Sequence, residues 1–319
     1  MHKQRQQQPR QKQLTRKARQ VGTQLATRKK SSGQHAAIKT PFPRTMRRGM
    51  SHKNLALPPI AHAARSGPQR RDTIPAVGRT FAIGDIHGEL AHLNRLLAKL
   101  PPLFSEDTLV FLGDYLDRGP QSIEVVERIE SLRQTERCAV ITLRGNHEDA
   151  WLETLDAPNP GFLLPEGNGC RALLRSVVDV SAMDDLKQTM LLLQPQEWFP
   201  AGLRSWMEAL PFFYEDEHAI YVHAGLDGEG HEWMHPRMGR QRPLLWMRER
   251  DFFQGYSGKR VVFGHTDTSS LPPDGVASTP DHVREVWRRG DLIGIDTGCG
   301  RSGFLSCIEL PADRVYDSR

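Results

Sequence analysis

Three short glycine-bearing clusters in the middle of the chain carry the side chains that could do chemistry. Asp85 and His87 fall in Gly84-Asp85-Ile86-His87-Gly88, Asp114 and Asp117 in Gly113-Asp114-Tyr115-Leu116-Asp117-Arg118-Gly119, and Asn146 and His147 in Arg144-Gly145-Asn146-His147-Glu148. Carboxylates, a carboxamide and imidazoles, with no cysteine among them, suit Mn, Fe or Zn in oxygen- and nitrogen-rich coordination. Six such groups are too many for one tetrahedral ion. They fit two ions that share a bridging carboxylate, roughly 3.5–4 Å apart, the arrangement that hydrolyses phosphate esters. Two more imidazoles lie downstream, each at or just past the end of an apolar run: Ile220-Tyr221-Val222-His223 and Val261-Val262-Phe263-Gly264-His265.

The elements that must position these groups are readable around them. Each of the three clusters follows an apolar run that predicts a buried strand, at 80–83, 108–112 and 139–143. Asp85 and Asp114 are 29 positions apart, and Asp114 and Asn146 are 32 apart, about the length of one βαβ unit. Three parallel strands are therefore expected to end side by side, at the edge where open α/β sheets place their ligands. Residues 89–100 and 121–133 have the periodicity of crossover helices. A helix is expected from His147, then a Pro/Gly-rich turn, then helices over 170–193 and 200–210, an insert covering one side of the site. Strands are expected at 212–222 and 259–264. Residues 292–295 and 303–309 read as a last hairpin, closed near the site by the turn at Asp296-Thr297-Gly298.

The five clusters, in this order, resemble the phosphoprotein phosphatase branch of the calcineurin-like metallophosphoesterases, and most closely its bacterial and phage Ser/Thr protein phosphatases. Gly119-Pro120-Gln121-Ser122, Leu245-Trp246-Met247-Arg248 and Ile295-Asp296-Thr297-Gly298 match the branch too, so the resemblance covers residues 79–310. It implies an α/β fold of two packed mixed β-sheets flanked by helices, the four-layer metallophosphoesterase sandwich. It implies two divalent ions, Mn2+ foremost with Fe or Zn as alternatives. Asp85 and His87 would hold the first ion, Asp114 would bridge, and Asn146, His223 and His265 would complete the second. A hydroxide between the ions would attack phosphorus in line. By the same resemblance His147 is the general acid, oriented by Asp117, and Arg118 and Arg248 clamp the phosphate. The residue chemistry agrees on the clamp, because a planar guanidinium grips two phosphate oxygens at once. The expected substrate is a phosphorylated protein or a small phosphoester. The competing enzyme is a dinucleoside polyphosphate hydrolase on the same fold. Symmetrical bacterial enzymes of that kind lack, in the family pattern, the second Asp of the GD-x-x-D-R-G motif, which this chain keeps as Asp117. Ala224 and Glu89 depart from the eukaryotic pattern and favour the bacterial branch.

Plainer explanations compete at several positions. Asp and Asn in Gly-flanked turns often serve only the turn, and Arg144 has Glu148 and Asp149 as local partners. His231-Glu232-Trp233-Met234-His235 fits the zinc-protease pattern HExxH, which requires a helix. Gly228 and Gly230 precede it and Pro236 follows at once, so a helix is not expected. Asp296-Thr297-Gly298 has the form of an aspartic-protease triplet, but such a site needs two carboxylates sharing a proton and no second triplet exists.

Charge divides the chain. Of 43 Lys and Arg, 18 lie in residues 1–71, which contain no Asp or Glu; the remaining 25 face all 38 acidic residues, a formal net charge of −13. The overall basic character therefore belongs to the leading segment. Residues 1–75 are read as a disordered basic tail, too sparse in large apolar residues to offset the entropy of ordering, and residues 76–319 as the metallophosphoesterase domain. The tail is a candidate for weak, salt-sensitive polyanion binding, and a non-enzymatic nucleic-acid-binding role would work through it. Met46 and Met50 are alternative starts. No run of about 18 apolar residues predicts a membrane span, so no membrane partner is expected. The four scattered cysteines form no CxxC, which fits a reducing cytoplasm. A monomer is expected.

Overall fold

The computed structural model describes residues 78–229, 232–272 and 285–319. The basic tail lies outside the described residues. The first half builds one sheet by repeated crossover: β1 (Thr80–Ile83), α1 (Leu90–Lys99), β2 (Thr108–Phe111), α2 (Ser122–Thr135) and β3 (Ala139–Thr142). The three strands pair in parallel, with Ile83 beside Phe111 and Phe111 beside Thr142. Their carboxyl ends therefore come level, as the spacing predicts. α1 presents Leu93 and Leu96 to the sheet and stops where Pro101 and Pro102 remove the donors a further turn needs.

The insert runs through α3 (Asn146–Asp156), α4 (Pro160–Leu163), α5 (Cys170–Val177), α6 (Asp185–Leu192) and α7 (Ala201–Glu208). The single helix expected over 170–193 is instead two, and the reason is local. Asp179 turns its carboxylate onto the backbone N–H of Ser181 at 3.0 Å. Asp184 caps α6 by accepting the Lys187 N–H at 2.8 Å. Short acidic side chains that bond nearby backbone in this way favour turns and caps over helix interiors.

The second half supplies β4 (Phe213–Glu215), β5 (Ile220–Val222), the small hairpin β6 (Gly228–Glu229) and β7 (Glu232–Trp233), α8 (Gln241–Trp246), α9 (Arg250–Gly255), β8 (Val261–Phe263), β9 (Trp287–Arg289), β10 (Leu292–Gly294), β11 (Ser306–Leu310) and β12 (Arg314–Asp317). Residues 212–222 are not one strand but two antiparallel ones. Asp216 folds the chain between them by accepting the N–H groups of His218 at 2.8 Å and Ala219 at 3.0 Å. The first sheet runs β12-β11-β1-β2-β3 and the second β4-β5-β8-β10-β9. The expected last hairpin is thus a correction: β10 and β11 belong to different sheets. β10 lies parallel to β8 and antiparallel to β9, while β11 runs antiparallel to both β1 and β12. Both strands are buried along their whole length. A strand buried on both faces sits in a sheet's interior and needs a partner on each side, which a two-stranded hairpin cannot supply.

Alternation along the strands sorts the core into layers. Ala82, Val110, Tyr221, Val262, Ile293 and Ile308 face inward and join the two sheets. Their neighbours Phe81, Ile83, Leu109 and Phe111 face outward against α1, α2, α3, α5 and α7. Val222, Val261 and Phe263 face outward on the other side against Phe252 and Phe253 of α9. The result is helix, sheet, sheet, helix, with the loops after β1, β2, β3, β5 and β8 gathered at one end. No helix among the described residues is long and apolar enough to cross a membrane.

Candidate functional site

Asp85, His87, Asp114, Asn146, His223 and His265 converge at the carboxyl ends of these strands, and all six are buried. Asp114 stands at the centre. Its Oδ2 lies 3.3 Å from His87 Nε2 and its Oδ1 lies 3.4 Å from His223 Nε2. Two compact donor groups share it, one with His87 and His147 and the other with His223 and His265. Asn146 Oδ1 sits 2.9 Å from His223 Nε2 and 2.7 Å from His265 Nδ1. Asp85 is held from behind, accepting the His265 N–H on both oxygens at 3.2 and 3.0 Å.

The backbone is bent hard to achieve this. Of six non-glycine residues with positive φ among the described ones, five are His87, Asp114, Asp117, Arg118 and His265. Such strain, of order 1–3 kcal/mol each, persists where surroundings over-determine the conformation. Glu148, fully buried, does much of that here. Its two oxygens accept the N–H groups of Asp114 at 2.9 Å, Tyr115 at 3.0 Å and Gly145 at 3.0 Å. It thereby ties the loop after β2 to the start of α3. Gly145 admits no side chain, since a Cβ there would lie 2.3 Å from Asp114 Oδ1. A Cβ on Gly264 would lie 2.1 Å from Asp85 Oδ1.

The donor set fits cations. His87 Nδ1 bonds the Leu116 carbonyl at 2.9 Å and His223 Nδ1 bonds the Leu112 carbonyl at 3.0 Å. Each ring must donate there, which leaves its Nε2 as a lone pair aimed at another acceptor. His87 Nε2 is buried without a hydrogen-bond partner among the described residues. Burial pushes the titration of His87, His223 and His265 down. Burial opposes ionisation of Asp114, but the rings of His223, His147 and His87 outweigh it and hold the carboxyl well below the usual range. Burial and the neighbouring carboxylates of Asp296 and Asp114 push Asp85 up. Crowded carboxylates facing imidazole nitrogens are the environment a divalent cation relieves.

His147 differs from the other histidines. Its Nδ1 lies 2.6 Å from Asp117 Oδ2. Burial lowers its titration, but Asp114 and Asp117 outweigh burial and raise it, favouring the imidazolium. Asp117 is fully buried and is gripped in turn by the indole N–H of Trp151, 3.0 Å from both oxygens. His147 and Trp151 lie one turn apart on α3, so one helix face holds both sides of this contact.

A cleft of about 410 Å³ opens over these groups and is lined by Asp114, Asn146, His147, His265, Phe162 and Trp246 together with four arginines. Two of the arginines, Arg118 and Arg248, are those the sequence nominates. Arg118 Nη2 lies 3.4 Å from His147 Nε2. The other two, Arg242 and Arg301, sit outside the main clusters; the only signal for Arg301 was its place just past the Asp296 turn. Arg144 stays out of the cleft's lining: it pairs with Asp149 at 3.4 Å and lies over Phe212. Asp296 is buried near Asp85, as expected for the turn, and burial raises it to about 6. The HExxH segment is no helix. Glu232 belongs to β7 and His235 bonds Glu215 at 2.8 Å, while His231 lies outside the described residues.

A two-sheet sandwich with clustered carboxylate, amide and imidazole donors at one end defines a metal-dependent phosphoesterase. The calcineurin-like phosphoesterase family model matches residues 78–269, and the chain belongs to that family. The fold of this family implies two divalent ions. The chain is 29% identical over 284 residues to a symmetrical bis(5'-nucleosyl)-tetraphosphatase of Janthinobacterium sp. (strain Marseille), covering 72% of this chain and 92% of that protein. It is 27% identical over 239 residues to serine/threonine-protein phosphatase 2 of Escherichia coli (strain K12), again covering 72% and 92%. A shorter stretch of 69 residues is 46% identical to a putative serine/threonine-protein phosphatase of Caenorhabditis elegans, spanning 21% of this chain and 18% of the worm protein. Among solved structures, a putative diadenosine tetraphosphatase superposes with a TM-score of 0.51 at 21% identity, covering 76% of this chain and 94% of that one.

Proposed function

We propose that the chain is a dinuclear phosphomonoesterase of the Ser/Thr protein phosphatase type. The observation that carries this reading is the 2.6 Å contact between His147 Nδ1 and Asp117 Oδ2 at the edge of the cleft. A serine or threonine alkoxide is a poor leaving group and needs a proton as it departs. The nucleotide released from a dinucleoside polyphosphate is a far better one. An imidazolium kept charged by a buried carboxylate suits the first task. Asp85, His87 and Asp114 would hold one ion, and Asp114, Asn146, His223 and His265 the other, with Mn2+ the foremost candidate for such donors. When bound, the ions would supply Lewis acidity toward the phosphoryl oxygens and lower the pKa of the attacking water. Arg118 and Arg248 would orient the phosphoryl group, and His147 would deliver its Nε2 proton to the leaving oxygen.

One observation favours the dinucleotide reading. Trp246 lines the cleft edge-on to His265, with ring centroids 5.9 Å apart, and a half-buried indole offers a face on which a base can stack. The test is turnover by the purified full chain with Mn2+ of a phosphoserine peptide panel beside diadenosine tetraphosphate. The proposal expects the peptides to give the higher kcat/KM. A preference for the dinucleotide that survives His147→Ala would replace it with the second reading.

A further inference from the structure

Arg118, Arg242, Arg248 and Arg301 line one cleft, and among the described residues no ion pair joins any of the four to a carboxylate. Elsewhere on the domain Arg79, Arg204 and Arg288 each hold one. The contrast is sharpened by the acidic balance of residues 72–319. The cleft also holds the carboxylates of Asp114 and Glu153, but clustered guanidinium groups favour anions, and four exceed what one phosphoryl group needs.

The geometry divides the four. Arg301 stands with Arg118: it follows Gly300, whose Cβ position would be 3.3 Å from Arg118 Cβ, and Arg118 is the strongest influence lowering the Arg301 pKa. Arg242 lies on the outer side. Its guanidinium carbon is 5.6 Å from the centre of the Trp246 ring. Arg242, Trp246 and Arg248 are shared with a second cavity of about 440 Å³, lined also by Arg240, Met247 and Glu249. The order outward is therefore His265, Trp246, Arg242, and the groove is longer than a single phosphoryl group.

Resting on the phosphoesterase reading above, we propose that the groove over Trp246 is a subsite for a second anionic group of the substrate, with Arg242 as its receptor. The substrate class is then phosphoesters that carry a carboxylate or another phosphate beside the scissile one. The aromatic face shields one side of the Arg242 guanidinium from water, and its fork can take two oxygens of one anion. Arg242 is exposed, so replacing it does not disturb the core.

Binding tests this apart from turnover. The probes are two peptides in which a methylene phosphonate replaces the phosphoserine oxygen, identical except for Asp or Ala at the flanking positions. Titration calorimetry on the Mn2+-loaded full chain is expected to show the Asp peptide about tenfold tighter, a charge-assisted contact discounted for exposure. Arg242→Gln is expected to bind both peptides alike, at the Ala-peptide level. Diadenosine tetraphosphate against adenosine monophosphate reads an oligophosphate source: a preference lost with Arg242→Gln for this pair alone supports the subsite with phosphate as its anion. If wild type discriminates neither pair, or if the preference survives Arg242→Gln, the subsite is refuted. Failure to cleave matched phosphoserine peptides, with the binding preference intact, would instead refute the phosphatase reading.

Discussion

Replacing His147 by Ala separates proton transfer from metal binding. In the structure the imidazole has one side on the Asp117 carboxylate at 2.6 Å and the other toward the cleft. Loss of a positioned general acid costs about 10²- to 10⁴-fold in rate, and the loss is paid only where the leaving group needs the proton. On a phosphoserine peptide His147→Ala is therefore expected to lower kcat by that factor. On para-nitrophenyl phosphate, whose leaving group departs without help, kcat is expected to change by about threefold or less. Asp117→Asn removes the charge and keeps the shape. A charge-assisted hydrogen bond is worth about 1.5–3 kcal/mol, so the peptide rate should fall about 10- to 150-fold, never more than with His147→Ala.

Steady-state kinetics on the two substrates, with metal analysis of the same preparations, reads all of this. His147 Nε2 is 3.9 Å from Asp114 Oδ2 and belongs to a possible donor group with His87, so a ligand role is a concrete competitor. Equal losses on both substrates together with a lost ion would make His147 a ligand and sink the acid assignment. Equal losses with metal retained would leave it neither.

Asp114→Asn is expected to lower activity by several orders of magnitude and to reduce bound metal from about two ions per chain, because the central carboxylate serves both donor groups; unchanged metal content and rate would remove Asp114 from the centre. Trp151→Phe deletes the N–H that holds both Asp117 oxygens, and the phosphoserine rate should fall about tenfold with para-nitrophenyl phosphate spared; matching falls on both substrates would mean the indole only packs. Glu148→Gln places an NH₂ against backbone donors, leaving groups unsatisfied at about 1–3 kcal/mol, so Tm by calorimetry should fall about 2–12 °C, and an unchanged Tm would show that Glu148 does not tie the loops. Deleting residues 1–71 is expected to leave kcat/KM on a small phosphoester within about threefold while abolishing low-salt binding to heparin; destruction of catalysis would show the tail to be part of the active enzyme.

The turns that carry the candidate ligands are legible in the sequence because each donor group closely follows a strand. Once three runs pair in parallel, Asp85, Asp114 and Asn146 have nowhere else to go. The two later strands bring His223 and His265 to the same end for the same reason. The last hairpin is misread because nearness in sequence says nothing about which sheet a doubly buried strand joins; only the partners of Leu292–Gly294 and Ser306–Leu310 decide that. Glu148 could have been assigned its role, since it stands third from Gly145 at the start of a helix, where a carboxylate reaches back to cap. Arg242, Arg301 and Trp151 could not. Their contacts depend on loop shapes and on a helix face one turn long, and neither leaves a mark in residue type or spacing.

The strain at the site follows from the same topology. A strand ending at a shared edge must reverse within a few residues while pointing a side chain forward, and left-handed backbone does this in the least length. His87, Asp114, Asp117, Arg118 and His265 accept that conformation although none is glycine. Glycine would relieve the strain but could not carry a carboxylate, an imidazole or a guanidinium. The neighbours bear the cost instead: the carbonyls of Leu112 and Leu116 fix two rings, Glu148 collects backbone N–H groups, and Gly145 and Gly264 step aside for Asp114 and Asp85. Each of these strained turns is thus held by named contacts from its neighbours.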